Sequence, residues 1–195
     1  MPDSNRDRIT RAARGLFIMR GYRNTTVDEI AREAGMSKRT VYESFSAKSD
    51  IAREVVESEL VVFASRTGDI INSDSEPLEK LRDLSRFYVQ LPYPGITPVA
   101  LIDLQRELPE LWARVEEVKQ GILSDLRAVI EAGKRKGVFR RDMSSSVTIA
   151  ALTGALESTM SPDFLQNNSL SLEEVFSGLF ELITQGICQE AAVGG

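Results

Sequence analysis

An all-α fold is predicted, and three observations predict it. β-Branched residues do not alternate with polar ones at period two over any useful length. No Asn-Gly or Asp-Gly hairpin turn occurs. Segment after segment instead repeats apolar residues at i, i+3, i+4 and i+7, the spacing that gathers them on one face of a helix. About nine helices are expected in total.

Taken in order, the first helix places Ile9, Ala12, Ala13, Leu16 and Phe17 on one face and ends near Gly21. The second is short and carries Val27, Ile30, Ala31 and Ala34. It opens on Thr26-Val27-Asp28-Glu29, a capping box in which hydroxyl and carboxylate satisfy otherwise orphaned amides, and Gly35 stops it. A third short helix spans about Ser37 to Phe45, with Val41 and Phe45 inward. Ser46 is expected to cap a longer fourth helix bearing Ile51, Val55, Val62 and Phe63, followed by a loop over 71–75. Pro77 and Pro98 suit the first turns of the next two helices, where a missing N–H costs nothing. Pro109 opens the longest helix, whose seam is Leu111, Val115, Val118, Ile122, Leu126 and Val129. Lys134-Arg135-Lys136-Gly137 closes it with cations and a terminal glycine. The eighth helix, Ser144 to Thr159, is rich in small residues: Ala150, Ala151, Gly154, Ala155 and Ser158. The ninth starts at a second capping box, Ser171-Leu172-Glu173-Glu174, and continues through Phe176, Leu179, Phe180, Ile183 and Ile187.

Composition narrows the function. Of 195 residues, 42% are hydrophobic and 27% charged, which is ordinary for a globular protein. The polar N-terminus lacks a signal-peptide stretch and no apolar run approaches bilayer length, so a cytoplasmic location without membrane contact is expected. The single cysteine, Cys188, cannot form an intrachain disulfide and reads as a small core hydrophobe. There is no histidine, which removes Ser-His-Asp and Cys-His nucleophilic sites and every His-containing metal site. No Gly-rich phosphate loop or Cys-x-x-Cys pair is present. No catalytic residue, cofactor or metal is therefore expected. The net charge of −5 conceals an asymmetry: residues 1–50 hold ten Lys/Arg against seven Asp/Glu, residues 51–195 fourteen against twenty-two. A mildly basic head (1–50) on an acidic body (51–195) suits a protein that touches a polyanion with one end.

The informative stretch runs from Thr25 to Phe45. Two short helices around a glycine turn are what a helix-turn-helix requires, with Ala31 small where the helices cross and Ile30, Met36 and Val41 filling the wedge. The third helix then has an unusual outer face: Ser37, Lys38, Arg39 and Thr40 crowd its first turn, and Tyr42 follows. These donors suit phosphates and base edges. Lys48 adds a cation to the first turn of the next helix, where the helix dipole does not favour one; an external phosphate is the expected reason.

In this stretch the chain resembles the N-terminal domain of TetR-family transcriptional regulators. The resemblance rests on Ala12-Ala13, Leu16-Phe17, Gly21-Tyr22, Thr25-Thr26, Ile30-Ala31, Ala34-Gly35, Ser37, Tyr42, Phe45, Lys48 and Ile51, over roughly residues 8–55. It implies an N-terminal three-helix helix-turn-helix DNA-binding domain (1–50) followed by a helical effector-binding and dimerisation domain (51–195). It further implies a homodimer whose two heads enter successive major grooves of a palindromic operator on double-stranded DNA. Thr26, Tyr42 and Lys48 would hold backbone phosphates, while Lys38, Arg39 and Thr40 would face the groove, with Arg39 on a guanine. The chain departs from the family at Ser44, where many members carry His or another aromatic.

The resemblance also implies a body cavity for a small-molecule effector of unknown class, an apolar or aromatic compound being the default. Candidate lining residues are Phe87, Tyr88, Leu91, Leu101, Leu104, Trp112 and Val115, with Met160 and Phe164 beside them and Gln90, Gln105 and Glu157 as polar anchors; each apolar member equally suits plain core. The last two helices would pair with their counterparts in a four-helix bundle through Ala151, Gly154, Ala155, Phe176, Leu179, Phe180 and Ile183, although one apolar stripe serves intrachain packing as well. Effector binding would move the helix that begins near Ser46 and change the spacing of the heads, relieving repression, the commoner mode of the family. Two alternatives stand beside this reading: a DNA-binding regulator without an effector, and a small all-helical enzyme.

Overall fold

Helix ends organise the chain. A computed structural model describes residues 4–90, 98–159 and 162–188. Among them lie ten helices: α1 (Asn5–Arg20), α2 (Val27–Glu33), α3 (Lys38–Ser44), α4 (Lys48–Ile71), α5 (Pro77–Val89), α6 (Pro98–Glu107), α7 (Pro109–Lys136), α8 (Ser145–Thr159), α9 (Pro162–Asn168) and α10 (Leu172–Ile187). The all-α expectation is met. The short α9 is one helix more than the periodicity suggests, because seven residues are too few to show a repeat. It ends on Ser169 with φ 53°, and Leu170 N–H closes back onto Leu165 O at 3.0 Å. An isolated antiparallel bridge joins Phe139 and Cys188. Among the described residues no helix is long and apolar enough to cross a membrane.

The capping boxes at Thr26–Glu29 and Ser171–Glu174 form as expected, and a third, Ser4–Asp7, starts α1 earlier than its apolar face suggests. The fourth helix is capped differently from expectation. It starts at Lys48, and the Asp50 carboxylate accepts the N–H of Ala47 at 3.0 Å, so the first turn is closed from its third residue and not from Ser46. Gly35 (φ 66°) and Gly137 (φ 75°) each adopt the left-handed conformation that ends a helix in a Schellman motif. Met36 N–H reaches Ala31 O at 2.8 Å after α2, and Val138 N–H reaches Gly133 O at 2.9 Å after α7.

The helices gather into two compact units, Met1–Ala64 with Ile96–Val118, and Ser65–Gly95 with Lys119–Gly195. In the first, Ile9, Ala13, Leu16, Phe17, Ile30, Val41, Phe45, Ile51 and Val55 form a core that also takes in Leu104 of α6 and Leu111 of α7. In the second, Ile71, Leu81, Leu84, Leu126, Val129, Ile130, Phe139, Ile149 and Ile187 pack together. Phe139 is fully buried against Gly133: a Cβ added there would lie 2.1 Å from the ring. One apolar residue assigned to an inner stripe is not inside, since Val62 on α4 is 60% exposed.

Candidate nucleic-acid interface

The helix-turn-helix is built by its glycine turn and its wedge. Gly35 reverses the chain, and Ile30, Val41 and Phe45 are buried between α2, α3 and α1. Burial of side chains of this size stabilises by about 1.5–3 kcal/mol each, so the angle between α2 and α3 is held by packing. With Val41 inward, Ser37, Lys38, Arg39 and Tyr42 are left exposed and Thr40 half-buried. The structure thus brings together five of the seven residues expected to meet DNA.

Every polar head among the first four of these has a partner. Ser37 Oγ caps α3 by accepting Thr40 N–H at 3.1 Å and lies 2.9 Å from Thr40 Oγ1. Lys38 Nζ donates to Asp28 Oδ2 on α2 at 2.8 Å, a bond that raises the lysine above its ordinary range. Arg39 Nε donates to Glu43 Oε1, one turn on, at 3.0 Å. Tyr42 is 49% exposed, a large amphipathic side chain in water. Thr26 is exposed at the start of α2; its hydroxyl accepts Glu29 N–H at 3.2 Å and donates to Glu29 Oε2 at 2.8 Å.

Lys48 has an internal reason for its position, which sequence alone assigned to an external phosphate. Its Nζ donates to Tyr22 O at 2.8 Å and Thr25 O at 2.9 Å, and lies 4.1 Å from the centre of the Tyr22 ring. Two of the three ammonium donors are thereby engaged on the turn between α1 and α2. Burial lowers this ammonium, opposed by the nearby carboxylates of Asp103 and Glu107. Ser44, the departure from the family pattern, turns its hydroxyl back onto Thr40 O at 3.2 Å.

Sequence reasoning missed the residues that hold this face in place. Arg6 donates to Ser44 O at 3.0 Å and Glu54 Oε2 at 2.8 Å, with its guanidinium 4.1 Å above the Phe45 ring. Arg8 donates to Ala34 O at 2.8 Å, bracing the turn before Gly35. Asp103 of α6, a buried carboxylate, accepts Arg23 N–H at 2.8 Å. Asp28 and Glu43, to which the sequence pattern assigns no contact, hold Lys38 and Arg39. These ties join residues 26 to 80 positions apart, or need a rotamer, so no local pattern announces them.

The effector candidates divide between the two units. Leu104, Trp112 and Val115 belong to the core of the first, while Phe87 and Tyr88 belong to the second. There Tyr88 stacks on Phe176 at 5.8 Å, and burial pushes its phenol up to about 12. Phe164 is half-buried on α9. Leu91, Met160 and the side chain of Leu101 lie outside the described residues. The proposed polar anchors are on the surface: Gln90 and Gln105 are exposed, and Glu157 accepts from Lys119 at 3.0 Å.

The dimer candidates separate as well. Ala151 and Gly154 are exposed and Ala155 half-exposed on α8, beside Val147 at 67%. On α10, Phe176 is covered within its own chain, being 7% exposed under Tyr88. Phe180 and Ile183 pack against the second core and Leu179 is half-buried. Leu182, which the stripe omitted, is 67% exposed.

Comparison with known proteins agrees with this architecture. A family described as "Bacterial regulatory proteins, tetR family" matches residues 9–55, and one described as "YsiA-like protein, C-terminal region" matches residues 56–186. The fatty acid metabolism regulator protein of Bacillus subtilis is 22% identical over 181 residues, 92% of this chain and 93% of that one. Among solved structures, the regulator FadR from Bacillus subtilis in complex with stearoyl-CoA superposes with a TM-score of 0.68 at 22% identity, covering 92% of this chain and 98% of that one. A regulator from Saccharomonospora viridis in complex with choline superposes with a TM-score of 0.77 at 22% identity, covering 95% and 98%. The chain belongs to the TetR family of bacterial transcriptional regulators.

Proposed function

We propose that the chain is a ligand-responsive repressor that binds a palindromic operator as a homodimer and is released by a long-chain acyl-CoA. The observation that carries the DNA-binding part is the exposed face of Lys38, Arg39 and Tyr42 on α3, presented by a packed α2–α3 pair on an otherwise acidic chain. Residues 1–50 act as the DNA-binding head and residues 51–195 as the effector-binding and dimerisation body. Tyr42, Thr26 and the remaining donor of Lys48 take phosphates, and Lys38, Arg39 and Thr40 face the groove. The exposed small-residue face of α8, with Val147, Ala151 and Gly154, and Leu182 on α10 support self-association. The protein carries out no reaction of its own.

The effector class is supported by a relative that matches along nearly the whole chain, a regulator of fatty acid metabolism, and by the stearoyl-CoA complex of a similar structure. Release requires that the effector bind a head spacing incompatible with the operator more tightly than the compatible one. Helix α4, which contributes to both units, is the element through which that difference is transmitted.

Binding of the duplex flanking the coding region, measured by anisotropy, tests the reading. Affinity should fall steeply with salt and be lost in Arg39→Ala. Stearoyl-CoA should release the duplex and choline should not. Release by choline alone would replace the effector class, and release by neither would favour a regulator without an effector.

A further inference from the structure

We propose that Glu43 is a specificity-determining residue that sets which edge of the Arg39 guanidinium meets the operator. The inference rests on the reading of α3 as the element that enters the major groove. A guanidinium offers five N–H donors in a rigid plane, one on Nε and two on each terminal nitrogen. Glu43 Oε1 takes the Nε donor at 3.0 Å. The two residues are four apart on one helix, so the bond forms without any change of backbone. What remains is the end of the fork, Nη1 and Nη2, on a side chain that is 89% exposed. That end is the edge whose two parallel donors match O6 and N7 of guanine.

In water such a pair holds weakly, but its consequence appears in the groove. Docking displaces part of the water around the pair, the Arg–Glu bond strengthens as the local dielectric falls, and a fork already held in one plane loses less freedom on docking. Lys38 gives the contrast on the same turn. Its ammonium is a point charge held sideways to Asp28 of α2 at 2.8 Å, with no edge to orient. Each cation of this turn therefore faces one carboxylate. The face attracts arbitrary DNA less than two unpaired cations would, and discrimination depends on how Arg39 is aimed.

The experiment uses the full chain and the duplex that the wild type selects from a randomised pool. Affinity is measured for that duplex and for a copy with the Arg39-contacted guanine exchanged. Glu43→Ala should narrow the preference for guanine by roughly tenfold. Glu43→Gln keeps an oxygen that accepts Nε–H but removes the charge, and should retain the preference while binding both duplexes more tightly. Circular dichroism checks that both variants stay folded, as the exposed position predicts. If both variants bind both duplexes more tightly by one common factor, Glu43 is only a repelling charge and the assignment falls. If Glu43→Ala shifts the preference equally in the Arg39→Lys background, which keeps a cation but has no guanidinium edge to orient, Glu43 reads a base itself and the assignment again falls. A wild-type chain that selects no duplex would overturn the reading of α3 together with it.

Discussion

The two ends of the chain solve the same packing problem with different kinds of information. In the head, each helix is started or stopped by a residue a few positions away: Ser4 with Asp7, Thr26 with Glu29, Ser37 with Thr40, Asp50 with Ala47, and Gly35 after α2. Its amphipathic faces then close on one another, with Ile9, Ile30, Val41 and Ile51 essentially inaccessible. On α10 the capping box is as well formed, yet the faces of α8 and α10 stay partly open, with Val147 and Leu182 each 67% exposed. Local chemistry thus specifies a helix in both places. Whether its apolar face is satisfied within one chain depends on distant partners, and in the C-terminal pair it is not.

The largest effect is expected where that difference is greatest. Gly154→Arg, alone or with Leu182→Arg, should leave the melting of the isolated chain little changed, because both positions are exposed. It should convert the proposed dimer to a monomer in sedimentation. Operator affinity should then drop on the order of a hundredfold, since the second half-site no longer gains from effective concentration. A dimer that survives both substitutions would remove α8 and α10 as the interface.

The second prediction sharpens the contrast inside the second unit. Gly133→Ala places a methyl group 2.1 Å from the buried Phe139 ring, and should destabilise by about 1–3 kcal/mol or more in urea unfolding. Gly178→Ala on α10 meets nothing within 4 Å, and should stabilise by roughly 0.5–1 kcal/mol. Equal responses would mean that the Phe139 contact carries no packing role.

These positions also show what could be read in advance. The head was legible nearly to the residue, because capping boxes, glycine stops and a short apolar wedge are patterns of three to five positions. The exposed group Ser37, Lys38, Arg39 and Tyr42 followed from Val41 being inward. Lys48 is visible in sequence as a cation in a first turn, whereas the carbonyls of Tyr22 and Thr25 that hold it are not. In the body, the stripe through Phe176, Phe180 and Ile183 was visible, but its burial under Tyr88 and the second core required the fold. Gln90, Gln105 and Glu157 suit a polar anchor by side-chain type alone, and type carries no information about direction.

Third in size is the tie between α6 and the head. Asp103→Ala leaves Arg23 N–H without its carboxylate, and a hydrogen bond to a charged group is worth roughly 1.5–3 kcal/mol. The variant should be less stable by about 1.5 kcal/mol, with faster hydrogen exchange at Arg23 and its neighbours up to Thr26. Asp103→Asn retains an accepting oxygen and should recover most of the protection. Protection unchanged in Asp103→Ala would show that the turn is held by Lys48 alone.

The smallest effect tests the cap that starts α2. Thr26→Ala removes the acceptor of Glu29 N–H and should cost about 1 kcal/mol of stability at neutral pH. The Glu29 carboxylate is held below its ordinary value, first by the Thr26 backbone N–H and then by the Thr26 hydroxyl. A folded-state value below the unfolded one contributes stability above the unfolded range, lost as pH falls through the folded value. The wild type should therefore lose this contribution on the acid side of the ordinary carboxylate range. The variant, retaining only the backbone donor, should lose less. The gap between the two should narrow in acid without closing, because the bond from Glu29 N–H to the Thr26 hydroxyl does not titrate. A gap independent of pH between 7 and 2 would mean that the hydroxyl contributes only as an acceptor. The hydroxyl's donation to Glu29 Oε2 would then be a feature of geometry without an energetic consequence.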